Sequence, residues 1–487
     1  MKRLVVADPG PVARAIVLGA LVSTLAAGAS ATSLEIGKAE LVPPGSAAPR
    51  AVRFEVSWKN GWSNARNHDA VWLFVKLSER PGDEVFHVRL AAAGHTAAAR
   101  GKGPAARLEV SADRVGAFLH GAPPFRGDAS YSVELVLDPK DMATLDPESK
   151  PMPAVFGVEM VLVPEGAFWV GDPDPAALDF GAFYRVGPDR RPAGPFEVGS
   201  EDPIVIGPEP GKVDYRAPHP ELQGDRLGPV PAGYPKGYRA FYLMKYELSQ
   251  GEYAAFLNSL DDHQSATRAI HGGRGYTSSR GTIALKDGRY EAARPSRPAN
   301  FVSWDDGAAF ADWAGLRPMT DLEFFKACRG PSAPIAHEFP WGTASKDRLR
   351  RVVAKDDDLV TTGDADEGLL SDATRDVLGA SYWWVMDLAG SVWEKVVTLG
   401  HPAGRAFRGS HGDGEISPVG YATNDDWPRG DDNEGGYGYL GGGFYQQGMR
   451  ETEFNPHSPI AYRRYGSWGG APRSLAYGFR AARTAGS

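Results

Sequence analysis

A chain of 487 residues is long enough for two or three domains. Hydrophobic residues make up 42% and charged residues 23%, which is ordinary for a globular protein. The net charge of −8, without a cluster of lysine and arginine, argues against a nucleic-acid partner. The single cysteine, Cys328, excludes an intramolecular disulfide and a cysteine-based zinc site.

Residues 1–31 have the features of a secretory signal. A basic start precedes an apolar run over residues 15–29 that is too short to span a bilayer, and Ala29-Ser30-Ala31 has the form of a cleavage site. We therefore expect a protein that is secreted, periplasmic or on the cell surface, with no integral membrane span after cleavage. Pro9 and Pro11 are unusual in such a leader. They leave open an uncleaved anchor or a misassigned start.

Residues 32–140 predict an antiparallel β-sandwich, because apolar residues alternate with polar ones and the connections are rich in turn residues. The alternating runs are Val52, Phe54, Val56 and Trp58; Val71, Leu73, Val75 and Leu77; Leu108 and Val110; and Tyr131, Val133, Leu135 and Leu137. Asn60-Gly61 is a turn signal between Trp58 and Trp62. These tryptophans either close the sandwich edge or, if exposed, meet a sugar or a partner domain. Residues 141–156 are predicted to be a linker.

Residues 157–487 form the second predicted domain. Three helix starts are marked by capping boxes: Ser249 with Glu252, Ser303 with Asp306, and Thr320 with Glu323. Cys328 follows Phe324 by four positions on the third helix, so we expect a buried thiol. Residues 172–238 are an acidic insertion, rich in proline and glycine and without periodicity. Such connections are either functional loops or poorly ordered.

The octapeptide Asp387-Leu388-Ala389-Gly390-Ser391-Val392-Trp393-Glu394 places two carboxylates around a glycine. Calcium prefers several oxygen ligands, drawn from carboxylates and backbone carbonyls together. The pattern therefore fits either a calcium site or a solvated acidic turn anchored by Trp393.

The octapeptide resembles a signature of the formylglycine-generating-enzyme (sulfatase-modifying-factor) superfamily. Further motifs of that family follow one another in the right order, and the similarity runs from about residue 157 to 483. The resemblance implies an α+β, loop-rich domain with a C-type-lectin-like fold, here preceded by the all-β sandwich. The motifs are Met160-Val161-Leu162-Val163-Pro164-Glu165-Gly166-Ala167-Phe168, Lys245-Tyr246-Glu247-Leu248-Ser249, Ser303-Trp304-Asp305-Asp306, Leu316-Arg317-Pro318-Met319-Thr320, Pro340-Trp341-Gly342 and Gly478-Phe479-Arg480.

The resemblance also implies structural calcium. Carried over to this sequence, its ligands fall on Asp387, Gly390, Val392 and Glu394. The family's other calcium site has no clear counterpart. An acidic run offers candidate ligands for it, namely Asp356, Asp357, Asp358, Asp364, Asp366 and Glu367.

Catalytic members of the family carry two cysteines after a Gly-Gly-Ser motif, and these bind copper and oxidise a substrate cysteine. The matching stretch here, residues 441–450, contains no cysteine, and none follows it. We therefore expect a calcium-stabilised binding or scaffolding module without copper-dependent cysteine oxidation.

The resemblance places a ligand groove near the C-terminus, where arginine and aromatic residues are interleaved. Such residues bind peptides or carboxylates through forked hydrogen bonds and stacking. The expected ligand is a peptide, protein or glycan. The other interpretation is that Arg463 and Arg480 form structural salt bridges to acids such as Asp387, with the aromatic residues packed beneath them. The candidate residues are Arg450, Tyr462, Arg463, Arg464, Tyr465, Trp468 and Arg473.

An enzymatic alternative remains open at this point. His411, Asp413 and His457 have the order and rough spacing of the two-histidine, one-carboxylate triad of non-haem iron oxygenases. Iron enzymes with a domain of this superfamily are known, which motivates the alternative. The other interpretation of His411 and Asp413 is a polar loop near the domain's pocket.

Overall fold

The structure is a computed structural model. It describes residues 34–42, 50–80, 85–146, 149–216, 224–349, 371–430, 435–443, 455–470 and 473–486. The predicted signal segment, the acidic run from Asp356 to Glu367 and Arg450 lie outside the described residues. Within the described residues, no helix is long and apolar enough to cross a bilayer.

The first part of the chain is almost entirely β-structure. Its elements are β1 (Glu35–Ile36), β2 (Glu40–Val42), β3 (Ala51–Ser63), β4 (Asp69–Ser78), β5 (Phe86–Val88), β6 (Thr96–Ala99), β7 (Ala106–Val110), β8 (Ala117–Gly121), β9 (Phe125–Val136) and the short helix α1 (Pro139–Met142).

The rest of the chain mixes short strands with helices. Its strands are β10 (Met152–Val163), β11 (Phe168–Val170), β12 (Phe183–Arg185), β13 (Phe196–Val198), β14 (Ile204–Ile206), β15 (Val213–Tyr215), β16 (Gly228–Val230), β17 (Phe241–Met244), β18 (Ile283–Lys286), β19 (Arg289–Ala292), β20 (Arg317–Pro318), β21 (Trp393–Val397), β22 (Tyr437–Leu440), β23 (Tyr477–Gly478) and β24 (Ala481–Thr484). Its helices are α2 (Gln250–Asn258), α3 (Asp262–Arg268), α4 (Trp304–Trp313), α5 (Asp321–Arg329), α6 (Arg375–Leu378) and α7 (Pro402–Arg405), with 3₁₀ turns at Pro175–Phe180, Thr277–Ser279 and Asp372–Thr374.

Two large sheets organise the molecule. Strands β1, β3, β9 and β6 are neighbours in a five-stranded sheet, in which β2 also pairs with β3. The second sheet has eight strands in the order β20-β24-β17-β10-β4-β8-β7, with β5 beside β4. Strand β10 pairs with β4 along ten residues and with β17 at its end, so one sheet joins the two parts of the chain.

Strand β4 is buried on both faces because it lies between two cores. Val71, Leu73, Val75 and Leu77 face β3, whose apolar run is buried as the alternation predicted. On the other face, Trp72 and Phe74 join the core around the C-terminal helices. The predicted linker over residues 141–156 therefore needs correction, because its last residues begin β10 in the middle of the shared sheet.

The Asn60-Gly61 turn signal does not end a strand. Both residues lie inside β3, where the register against β9 shifts between Trp58 and Gly61 and Asn60 has φ 53°. A β-bulge accommodates the bend that Asn60-Gly61 favours, and the strand continues beyond it. Trp58 and Trp62 are both buried, so neither is available to an external sugar.

The insertion over residues 172–238 is folded where it is described. Strands β12, β15, β14 and β16 form a four-stranded sheet within it. Phe183, Ile206 and Tyr215 belong to the C-terminal core. The absence of periodicity in the sequence follows from strands of three residues, which are too short to show alternation.

The three predicted capping boxes are all present, at the starts of α2, α4 and α5. The helices' apolar faces are buried, and Cys328 on α5 is fully buried as expected. Strand β21 continues directly from the acidic octapeptide and pairs with β22 and β23 in a three-stranded sheet. This arrangement places the octapeptide against the Gly478-Phe479-Arg480 motif.

Candidate functional site

The octapeptide forms a buried turn. Asp387 has φ 60°, and its Oδ2 accepts hydrogen bonds from the backbone N–H and the hydroxyl of Ser391 at 3.4 and 3.1 Å. A Cβ at Gly390 would lie only 1.5 Å from Oδ1 of Asp387, so that side chain requires glycine there. The interpretation of a solvated turn is wrong, since Asp387 is 2% exposed.

Glu394 is paired with an arginine. The guanidinium of Arg480 donates to both Glu394 oxygens at 2.6–3.0 Å, and both side chains are fully buried. Arg480 also donates to the carbonyls of Met244 and Met386, at 2.8 and 2.9 Å. The ion pair therefore ties the end of the octapeptide to β17 and to the residue before Asp387.

Glu247 is a third carboxylate at this turn. Its Oε1 accepts the backbone N–H of Val392 at 3.0 Å. Burial raises the pKa of Glu247 well above its usual range, and the charges of Asp387 and Glu394 raise it further. Sequence reasoning did not assign Glu247 to the site, although its place in the Lys245-Tyr246-Glu247 motif was a signal that could have done so.

Two carboxylate oxygens at the turn fit a cation. Among the described residues, Oδ1 of Asp387 and Oε2 of Glu247 are buried and receive no hydrogen bond from an N–H or a hydroxyl, although the two carboxyl groups interact with each other through a side-chain hydrogen bond. Burial also raises the pKa of Asp387. Buried anionic oxygens are stabilised by a counter-ion or a proton. A proton shared between Asp387 and Glu247 would satisfy these two oxygens, and so would a cation such as calcium, whereas the oxygens of Glu394 are already engaged by Arg480.

A cluster of aromatic rings lies beside this turn. We call it the aromatic cluster, and its members contact one another at centroid distances of 4.3–6.0 Å. Three of its rings are half-buried and so remain partly open to a ligand. The cluster consists of Trp393, Tyr439, Tyr465, Trp468 and Tyr477.

Arg464 and His457 border the aromatic cluster. Arg464 is half-buried, and its guanidinium lies 5.8 Å from the ring centre of Tyr465. Its Nε is buried and makes no hydrogen bond within the described part of the chain. His457 packs edge-on against Tyr465 at 5.4 Å and lies 5.8 Å from Trp393. Burial and the charge of Arg464 lower the pKa of His457 to about 4, so its imidazole is neutral.

Two of the other predicted groove arginines are structural. Arg463 is 2% exposed, with its guanidinium between the rings of Phe183 and Tyr215 and 3.4 Å from Asp321. Arg473 donates to both oxygens of the buried Asp306 at 2.7 and 2.8 Å. These two arginines are correctly described by the salt-bridge interpretation, and Arg450 lies outside the described residues.

Tyr462 is buried next to the insertion rather than in the aromatic cluster. Its ring stacks on Phe180 at a centroid distance of 4.1 Å, and its hydroxyl hydrogen-bonds Nδ1 of His337 at 2.9 Å. Neither Phe180 nor His337 was a candidate from the sequence.

The structure does not bring the iron triad together. Nε2 of His411 accepts the backbone N–H of Thr484 at 3.0 Å, and Asp413 accepts the backbone N–H of Glu415 at 3.0 Å. His457 lies with the aromatic cluster. All three candidates are described, and among described residues no group of three or more His, Cys, Asp or Glu side chains is placed to hold a metal ion. The polar-loop interpretation is therefore favoured for His411 and Asp413.

The sulfatase-modifying factor enzyme 1-like domain model (FGE-sulfatase) matches residues 148–485. The chain belongs to this family. Its similarity to the formylglycine-generating enzyme of Bos taurus is 24% identity over 228 residues, covering 42% of this chain and 55% of the relative. The formylglycine-generating enzyme of Thermomonospora curvata is 25% identical over 227 residues, covering 42% of this chain and 68% of the relative. The one from Mus musculus is 22% identical over 228 residues, covering 55% of its length.

The FGE-sulfatase match confirms the family suggested by the motifs, and the mixture of many strands with few helices agrees with an α+β fold of this type. The chain spans just over half the length of the bovine and mouse relatives. The family match begins at residue 148, so β4, β5, β7 and β8 lie outside the match although they belong to the same eight-stranded sheet as β10, β17, β20 and β24.

Proposed function

We propose that this protein is an exported, calcium-stabilised binding module of the FGE-sulfatase family that does not carry out copper-dependent cysteine oxidation. The observation that carries the binding role is the half-buried Arg464 at the border of the aromatic cluster, beside three rings that are themselves only half-buried. A guanidinium beside partly open rings suits a segment that carries an aromatic ring next to a carboxylate. The ligand class is therefore an acidic, aromatic peptide segment.

The cysteine content supports a role without copper. The sequence holds one cysteine, and Cys328 is fully buried on α5. Burial raises the pKa of its thiol well above the ordinary range, which keeps the sulfur protonated. Copper(I) binds soft thiolates, and a single buried thiol does not supply a pair of them. The relatives' names describe formylglycine-generating enzymes, but this activity is not part of the proposal.

Calcium at the octapeptide turn belongs to the same proposal. Asp387 and Glu247 would hold the ion with the buried oxygens Oδ1 and Oε2, in place of the hydrogen bond between their carboxyl groups, and the carbonyls of Gly390 and Val392 would contribute further oxygen ligands. When bound, calcium supplies the positive charge that these buried carboxylates lack. Export rests on the leader-like composition of residues 1–31.

Calorimetric titration of the full chain tests the binding role. The probe is acetyl-Gly-Tyr-Glu-Gly-amide, and the matched ligand is acetyl-Gly-Tyr-Gln-Gly-amide. We expect the glutamate peptide to bind at least about tenfold more tightly, because a charge-assisted hydrogen bond contributes about 1.5–3 kcal/mol. Arg464→Ala should abolish this difference, while Arg53→Ala, an exposed arginine on the five-stranded sheet, should preserve it. Equal affinities for both peptides in the wild type would refute the ligand class.

The absence of oxidation is tested separately. Purified protein is loaded with copper(I), supplied with oxygen and incubated with a cysteine-containing peptide. Mass spectrometry should find no conversion of the thiol to an aldehyde. Catalytic turnover to the aldehyde would overturn the proposal of a non-catalytic module.

A further inference from the structure

Three residues from distant parts of the chain form one line of hydrogen bonds. Asp174, in the insertion, contacts Nε2 of His337 through Oδ2 at 3.0 Å. Nδ1 of His337 contacts the hydroxyl of Tyr462 at 2.9 Å. A carboxylate only accepts hydrogen bonds, so a neutral imidazole carries its proton on Nε2 and accepts from Tyr462 at Nδ1. We call this line the Asp174–His337–Tyr462 relay.

The relay is held in place by a second carboxylate. Asp172 accepts the backbone N–H of His337 and of Asp174, both at 2.8 Å. His337 has φ 56°, a conformation that a non-glycine residue adopts at a cost of about 1 kcal/mol or more. Such a conformation persists when its surroundings enforce it. The backbone of His337 is therefore fixed in the orientation that the relay needs.

The relay positions the ring of Phe180 through Tyr462. The ring of Tyr462 lies parallel to that of Phe180, with an interplanar angle of 4°. The carbonyl of Phe180 also accepts the backbone N–H of Arg463 at 2.9 Å. Phe180 then presents its half-buried ring to His457 at 5.9 Å, and His457 contacts Tyr465 and Trp393 on its other side. Phe180 of the insertion thus forms a wall beside the aromatic cluster, from which it is separated by His457.

His457 offers a polar contact at this wall. Its Nδ1 is buried and has no hydrogen-bond partner among the described residues. A neutral imidazole presents one donor and one acceptor, so a polar atom without a partner lies below the surface at this wall, between two aromatic faces. Arg464 and His457 both lie against the ring of Tyr465, at 5.8 and 5.4 Å from its centre.

We propose that Phe180 is a specificity-determining residue and that Asp174, His337 and Tyr462 are positioning residues that hold it in place. Phe180 selects ligands with an aromatic ring beside the carboxylate that Arg464 binds. This inference rests on the proposed function and deepens it. It assigns the preference for an aromatic ring to Phe180 of the insertion and the preference for a carboxylate to Arg464.

The experiment compares two peptides on the full chain, acetyl-Gly-Tyr-Glu-Gly-amide and acetyl-Gly-Leu-Glu-Gly-amide, by calorimetry. The wild type should prefer the tyrosine peptide by about fivefold or more, the size of a favourable aromatic contact. Phe180→Leu should remove this preference and leave the separate preference for glutamate over glutamine unchanged. Tyr462→Phe, which keeps the ring and removes the hydroxyl, should reduce the preference by about twofold to threefold.

A conservative pair of variants tests the relay. Asp174→Asn retains an acceptor oxygen and should keep the preference for tyrosine, whereas Asp174→Ala should lower it. A merely structural role would lower the melting temperature and weaken both peptides equally, with their ratio unchanged. An unchanged ratio in both Phe180→Leu and Tyr462→Phe would overturn the inference while leaving the glutamate preference, and so the proposed function, intact. A wild type that binds none of the peptides would overturn both.

Discussion

The ammonium of Lys245 lies 3.1 Å from Oδ2 of Asp69, and both side chains are buried. Lys245 belongs to a family motif, while Asp69 begins β4, outside the family match. Glu159 is also 3.2 Å from the ammonium. Asp69 further accepts hydrogen bonds from the indole of Trp58 and the backbone of Trp62, at 3.2 and 2.9 Å. This buried ion pair therefore connects the two parts of the chain, as the shared eight-stranded sheet also does.

Asp69→Ala should lower the free energy of unfolding by about 3–5 kcal/mol, because it removes one partner of a buried ion pair. It also leaves the indole N–H of Trp58 and the backbone N–H of Trp62 without their acceptor. Guanidinium unfolding followed by circular dichroism measures the change. Glu134→Ala is the matched control, since its partner Arg53 is exposed, and such a pair is worth about 1 kcal/mol or less. Equal losses in the two variants would show that the Lys245 contact is not special.

A fragment that begins at residue 148 should fail to fold alone. It keeps β10 but loses β4, which supplies the neighbouring strand from Met152 to Val161. The edge of β10 and the core residues that face Trp72 and Phe74 would be exposed to water. We expect aggregation or a melt without a cooperative transition, measured by circular dichroism. A cooperative melt for the fragment, similar to that of the full chain, would mean that the family domain is autonomous.

Local signals were sufficient for the starts of α2, α4 and α5, but not for the sheet connections. The capping box of Asp261 with Gln264 at the start of α3 was an equally local signal that was missed. Each capping box is set by residues three positions apart, so Thr320 and Glu323 mark the start of α5 without tertiary information. The partnership of Lys245 with Asp69 is formed across 176 residues, and no local pattern encodes it. Asn60-Gly61 correctly indicated a local bend. In the structure that bend is a bulge within the long strand β3 rather than a turn between two strands.

The candidate site was predictable only where the family motif specified it. The octapeptide and Gly478-Phe479-Arg480 were found from the sequence, and the structure places them against each other. A salt bridge of Arg480 to an acid such as Asp387 was one interpretation of the sequence, but Glu394 was assigned to calcium instead, because a glutamate suits calcium or an arginine equally well by residue type. Phe180 and His337 come from loops without periodicity, so their approach to Tyr462 depends on the folded insertion.

Gly307→Ala should be destabilising although the position lies within α4. Alanine in place of glycine normally stabilises a helix by about 1 kcal/mol. At this position a Cβ would lie 2.2 Å from the buried ring of Phe479, so we expect a net loss of about 1–3 kcal/mol from overpacking. Thermal unfolding measures it. Gly103→Ala, where a Cβ meets nothing within 4 Å, should change stability by less than about 0.5 kcal/mol. A neutral Gly307→Ala would show that Phe479 moves aside freely.

Acid should destabilise the protein partly through His87. Burial and the nearby ammonium of Lys76 lower the pKa of His87 to about 3, below its ordinary value of 6.5. Between pH 6.5 and about 3 the imidazole is therefore protonated in the unfolded state but not in the folded state. The free energy of unfolding falls as the pH drops through this range. The slope from this one group is about 1.4 kcal/mol per pH unit.

His87→Phe should reduce this acid sensitivity, because phenylalanine fills similar space beside Phe74 and takes up no proton. Unfolding free energies measured at several values between pH 7 and pH 4 give the slope for each protein. A slope that is unchanged in His87→Phe would assign the acid sensitivity to other groups.

Removal of calcium should lower the melting temperature, since an ion that binds only the native state stabilises it by mass action. Differential scanning calorimetry with chelator and with added calcium gives the increment due to the ion. Asp387→Asn should remove most of that increment, because Oδ1 of Asp387 is one of the two buried oxygens that would hold the ion. Glu394→Gln should instead lower the melting temperature with and without calcium, because it breaks the buried pair with Arg480. An increment that survives Asp387→Asn but is lost in Glu394→Gln would show that calcium competes with Arg480 for Glu394. A wild type that does not respond to the chelator would remove calcium from the proposal.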